Sequence, residues 1–98
     1  MLKTLSFLCA IAAAGQAFAE GDPAYGEYLS GECVTCHRLD GEMEGIPAII
    51  GWDDDIFIEV MNAYGTGERD NEAMRSVVIP LGAEEIAALA AYFRSLGD

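Results

Sequence analysis

The sequence predicts an all-α domain of three to five short helices, and three observations carry that prediction. Near the C-terminus Ile86, Leu89, Ala90, Phe93 and Leu96 recur at helical spacing as one apolar stripe. Helix-start and helix-stop residues divide the rest of the chain into short pieces: Asp22-Pro23, Asp53-Asp54-Asp55, Gly65-Thr66-Gly67 and Pro80-Leu81-Gly82. No segment alternates apolar and polar residues convincingly, as a half-buried strand would.

Taken in order, the first segment is not part of that domain. Lys3 supplies a positive start, residues 5–14 are apolar, and Ala17-Phe18-Ala19 has the small-x-small form of a cleavage site. Residues 1–19 therefore read as an export signal, cleaved before Glu20, and residues 20–98 as one mature domain placed in the bacterial periplasm. The apolar run is too short to cross a bilayer as a stable helix, so no stable membrane span is expected after cleavage. Cys9 leaves with the signal, and two cysteines remain.

In the mature part, Asp22 is a helix N-cap with Pro23 in the first turn, and the helix should run through Leu29 and end near Gly31. Residues 39–51 are rich in glycine and carry Pro47, so they read as loop. Asp53-Asp54-Asp55 opens a second helix to about Tyr64, its acids at the positive end of the helix dipole. Ile56, Val60 and Tyr64 share a stripe there, with Phe57 and Met61 beside it. A short third helix begins near Asp70-Asn71 and carries Met74. The last helix enters through Gly82-Ala83 and Glu84-Glu85 and stops at Gly97. Tyr25, Tyr28 and Phe57 are expected in the core or a pocket wall.

Charge narrows the partners. All 17 acidic residues lie beyond residue 19, where only Arg38, Arg69, Arg75 and Arg94 oppose them. That balance excludes nucleic acid and an anionic membrane surface. It fits a protein partner with a basic docking face, and it also keeps an exported protein soluble.

Cys33-Val34-Thr35-Cys36-His37 carries the chemistry. Two thiols two residues apart can form thioethers to the two vinyl groups of one haem, and the adjacent histidine then lies beneath the iron. Competing readings have less support. Structural zinc needs four ligands, whereas the mature chain offers only Cys33, Cys36 and His37 from Cys and His. A thioredoxin-like pair needs a βαβ context that is missing, and a Cys33–Cys36 disulfide remains an alternative in an oxidising compartment. The residues thus point to one covalent haem c. For the sixth ligand there are three internal methionines. Met43 is only six residues after His37, Met61 lies on an apolar helix face where methionine serves as filler, and Met74 follows a glycine break.

The CxxCH near the mature N-terminus, the Pro47 loop, a downstream methionine and a C-terminal helix with Tyr92-Phe93 resemble class I cytochromes c. The resemblance covers essentially residues 22–97. It implies that the first and last helices cross, with Gly26 letting Tyr92 or Phe93 approach. It implies His37 as proximal ligand, with a backbone carbonyl of the Pro47 loop accepting from its Nδ1. Gly67-Glu68-Arg69 followed by Met74 is similar to the family's Gly-x-Arg pattern, which implies Met74 as sixth ligand and Arg69 as partner of a haem propionate. Trp52 is a second candidate, packing on the haem and donating its indole N–H to a propionate.

Residues 45–51 and 67–69 look like the cytochrome subunit of flavocytochrome c sulfide dehydrogenase, which implies a flavoprotein as electron donor. Arg38 and Trp52 depart from that subunit's common loop. A freely diffusing periplasmic carrier uses nearly the same motifs, and a haem-based gas or redox sensor would need an open sixth position. Nothing else in the mature chain resembles a catalytic constellation, so an electron carrier rather than an enzyme is expected.

Overall fold

The computed structural model describes residues 21–41 and 44–97. The segment expected to be an export signal lies outside the described residues, as does Met43. Among the described residues the regular structure is helical: α1 (Pro23–Leu29), α2 (Gly31–Val34), α3 (Asp54–Thr66), α4 (Glu72–Val78) and α5 (Ala83–Ser95). This is consistent with a cytochrome c fold. Among the described residues no single helix is long and apolar enough to cross a membrane.

Each helix begins where its local chemistry requires. Asp22 Oδ1 accepts the Ala24 N–H at 3.0 Å, and Pro23 occupies the first turn, where its missing N–H costs nothing. α2 is an element that the sequence did not predict. Ser30 Oγ donates to Glu27 O at 2.7 Å, closing α1, while Ser30 O starts the next turn by accepting from Cys33 N–H at 2.8 Å. Asp54 and Asp55 stand in the first turn of α3. Gly67, left-handed at φ 88°, ends it by donating to Tyr64 O at 3.2 Å. α5 is capped by its own third residue, Glu85, whose Oε1 accepts the Gly82 N–H at 2.8 Å.

α1 crosses α5, and glycine makes the crossing close. A Cβ on Gly26 would collide with the Ala88 carbonyl and stand 2.7 Å from Tyr92 Cβ. The expected approach of an aromatic to Gly26 is therefore made by Tyr92, while Phe93 turns into the core with no exposed surface. Gly21 meets the Ala87–Ala88 backbone in the same manner. Tyr25 OH adds a 3.2 Å hydrogen bond to Glu85 Oε2 across the pair.

α5 buries Ile86, Leu89, Ala90 and Phe93 as the stripe predicts, but Leu96 lies past the helix and is exposed. On α3 the buried positions are Phe57 and Met61, not the Ile56–Val60–Tyr64 stripe; Ile56 is 49% exposed. A helix with apolar residues on adjacent stripes has two faces to place, and tertiary packing chose which one entered the core. Tyr28 is likewise outside, 82% exposed and stacked on Tyr25 at 6.5 Å. Arg94 Nε binds Asp54 Oδ1 at 3.0 Å, joining the end of α5 to the start of α3.

Candidate functional site

One carbonyl shapes the CxxCH segment. Cys33 O accepts from Cys36 N–H at 3.2 Å and from His37 N–H at 2.8 Å, so the backbone keeps coiling past the end of α2. Side chains three and four positions apart on such a coil share a face. Cys33, Cys36 and His37 accordingly border one apolar groove of about 300 Å³.

Both cysteines are free thiols, so the disulfide alternative is not formed in this structure. Cys33 is buried and Cys36 exposed. Burial, helped by the Glu32 carboxylate, pushes the Cys33 thiol up to about 11, which keeps it protonated at neutral pH.

His37 Nδ1 lies 2.8 Å from the carbonyl oxygen of Pro47. A carbonyl can only accept, so Nδ1 carries the proton and donates. With the proton fixed on Nδ1, Nε2 is the nitrogen left to serve as a metal ligand. Pro47 also borders the groove.

Other elements supply the remaining walls. Met74, half-buried in the first turn of α4, borders the groove; its N–H donates to Asn71 Oδ1 at 3.0 Å. Met61 borders the groove as well, but from within the core, 4% exposed. Val60 and Tyr64 turn the second apolar stripe of α3 toward the same space.

Trp52 is half-buried at the border and meets Phe57 edge-on, centroids 6.2 Å apart at 70°. Phe57 in turn stacks on Phe93 at 5.9 Å, so a run of rings connects the groove to the core of α5. The loop is also fastened there, since Gly51 N–H donates to Phe93 O at 2.9 Å. Arg69 is the arginine bordering the groove; its guanidinium lies over the Tyr64 ring, 5.1 Å from the centroid. Among the described residues it forms no ion pair, whereas Arg38 is held bidentately by Asp40.

The donor set fits a haem. Two thiols and an imidazole share one face of an apolar groove, a thioether from another helix borders it, and a guanidinium stands at its edge. A flat apolar ring with anionic substituents suits these residues. No group of three or more His, Cys, Asp or Glu among the described residues offers a metal ion an alternative site.

Two relatives are similar in sequence. Cytochrome c4 of Pseudomonas aeruginosa (strain PAO1) is 29% identical over 93 residues, covering 93% of this chain and 46% of that protein. A thiosulfate dehydrogenase electron acceptor of Thiomonas intermedia (strain K12) is 28% identical over 67 residues, covering 65% of this chain and 31% of that protein. The likenesses support a c-type cytochrome. The chain spans less than half the length of either relative. No family model matches the chain. The relatives' names, a cytochrome c and an electron acceptor, agree with haem c as cofactor and with an electron carrier rather than an enzyme.

The sequence missed three features of the site: α2, the place of Val60 and Tyr64 on the groove wall, and Asn71 as the residue that holds Met74. The last was legible in part, because asparagine three residues before Met74 is a common N-cap spacing.

Proposed function

We propose that residues 20–98 work, after removal of residues 1–19, as a periplasmic single-electron carrier with one covalent haem c. The observation that carries this reading is the groove shared by Cys33, Cys36, His37 and Met74. Cys33 and Cys36 would attach the haem, and His37 Nε2 and Met74 Sδ would hold its iron. When bound, the haem supplies a one-electron couple that His/Met ligation keeps low-spin in both states.

The chain's own residues do the rest. Pro47 O orients the His37 ring and makes Nε2 a stronger donor. Val60, Met61 and Tyr64 line the groove with carbon and keep water out. Arg69 and the Trp52 indole N–H balance the anionic edge. Held by both His37 and Met74, the iron would have no place for a substrate.

The donor we propose is a sulfur-compound dehydrogenase with a basic docking face. The strongly acidic surface supports the sign of that face. The likeness to a protein named thiosulfate dehydrogenase electron acceptor supports the substrate class. The flavoprotein of a sulfide dehydrogenase, implied by the loop over residues 45–51, is the specific candidate.

The test is spectroscopic. Expressed with haem-attachment machinery, the chain should have the mass of residues 20–98 plus one haem. It should also show the weak sulfur-to-iron charge-transfer band of His/Met haem, and Met74→Ala should abolish that band. Survival of the band in Met74→Ala would move the ligand to Met61 or Met43. Its absence from the wild type would favour an open sixth position and a sensor.

A further inference from the structure

We propose that Asn71 is a positioning residue for Met74, setting how firmly the sixth ligand is held; the proposal rests on Met74 being that ligand. Asn71 is the N-cap of α4, and its side-chain Oδ1 accepts the N–H of Met74 itself at 3.0 Å. Its backbone oxygen accepts from Arg75 N–H at 2.9 Å. One residue therefore fixes Met74 and its successor together.

Three further observations make this cap matter more than most. α4 has seven residues, too few to hold a helical turn without help. The segment before it is anchored to α3 where Arg69 N–H donates to Ala63 O at 3.0 Å, so the chain is held at 69 and again at 71. Met74 is only half-buried, in contrast to Met61, so packing constrains it less. A helical side chain leans back toward the N-terminal turn, which makes the direction of Met74 depend on the turn that Asn71 closes. Partners bonded directly to a ligating group are worth roughly 10–100-fold in metal affinity, and a partner that acts through the ligand's backbone belongs at the low end of that range.

The experiment uses the haem-loaded ferric protein and imidazole as a competitor for the sixth position. Asn71→Ala should bind imidazole roughly tenfold more tightly than wild type and weaken the charge-transfer band. Asn71→Ser keeps an acceptor at the cap and should restore both toward wild type. Asn71→Gly lacks the acceptor yet is well tolerated as an N-cap, so it repeats the test should Asn71→Ala fail to fold. Asp22→Ala removes an equivalent cap from α1 and should leave imidazole affinity unchanged.

Imidazole affinity within twofold of wild type in Asn71→Ala and Asn71→Gly, with Met74→Ala still abolishing the band, would overturn the positioning role alone. So would an equal rise in Asp22→Ala, which would reduce the effect to general stability. If Met74→Ala keeps the band, the ligand assignment falls first and this role falls with it.

Discussion

The α1–α5 crossing and the groove are built from similar residues to opposite ends. At the crossing, glycine brings two backbones into contact at a fully buried Ala88, a Tyr25–Glu85 bond closes the edge, and α5 carries Ala90 and Phe93 fully buried in the core behind it. Around the groove the apolar residues Trp52, Val60, Tyr64 and Met74 are only half-buried, and two of them stand on a loop (Trp52) and on a seven-residue helix (Met74). The crossing has satisfied its own surfaces. The groove leaves the apolar side chains of Trp52, Val60, Tyr64 and Met74 partly exposed, a surface that suits a flat apolar ring. A small domain can place stability in one region and leave the other to be completed by a cofactor.

That comparison breaks if changes at the crossing alter the spectrum of the haem-loaded protein as much as its stability. The largest effect is expected from Phe93→Ala, which empties a fully buried position and should cost about 3–5 kcal/mol in guanidinium unfolding. Gly26→Ala should cost about 1–3 kcal/mol, because the Ala88 carbonyl that the new methyl meets is backbone and cannot step aside. In both variants, the folded fraction should keep the wild-type charge-transfer band. Met74→Ala should show the converse, a lost band with a smaller loss of stability.

A smaller, pH-dependent effect should come from Glu85. Hydrogen bonds from the backbone N–H of Gly82 and of Glu85 itself, and then from Tyr25 OH, hold its carboxyl below the ordinary glutamate value of 4.5. A depressed pKa contributes stability that is present above the unfolded value and is lost as pH falls through the folded one. Glu85→Gln should therefore be less stable than wild type at neutral pH, with the two curves converging below pH 4.5. Thermal unfolding across that range checks it; a constant offset at all pH values would remove the carboxylate from the account.

The smallest effect sharpens the contrast from the other side. A Cβ on Gly31, at the start of α2, would meet nothing within 4 Å. Gly31→Ala should thus stabilise by roughly 0.5–1 kcal/mol through lower chain entropy, the opposite sign from Gly26→Ala.

Much of the fold was legible because its signals are local. Asp22-Pro23, the Asp53–Asp55 run and Gly67 work within one turn of the helices they begin or end, and the structure has those boundaries within a residue or two. The α5 stripe was legible for the same reason: Ile86, Leu89, Ala90 and Phe93 have a single apolar face to bury. α3 was not, because Val60 and Tyr64 on one stripe and Phe57 and Met61 on its neighbour read alike until something packs against them. α2 escaped notice since four residues contain too little periodicity to read.

The sequence by itself determined the helical class, the spacing of Cys33, Cys36 and His37, and the set of candidate ligands, all of which depend on residues near one another in the chain. Tertiary structure decided what depends on distant residues. It set the Pro47 carbonyl against His37 Nδ1, ten residues away, chose Tyr92 over Phe93 to meet Gly26, and buried Phe57 and Met61 of α3 while leaving Ile56 outside. Spacing prescribes which side chains share a face, but only packing decides what that face meets.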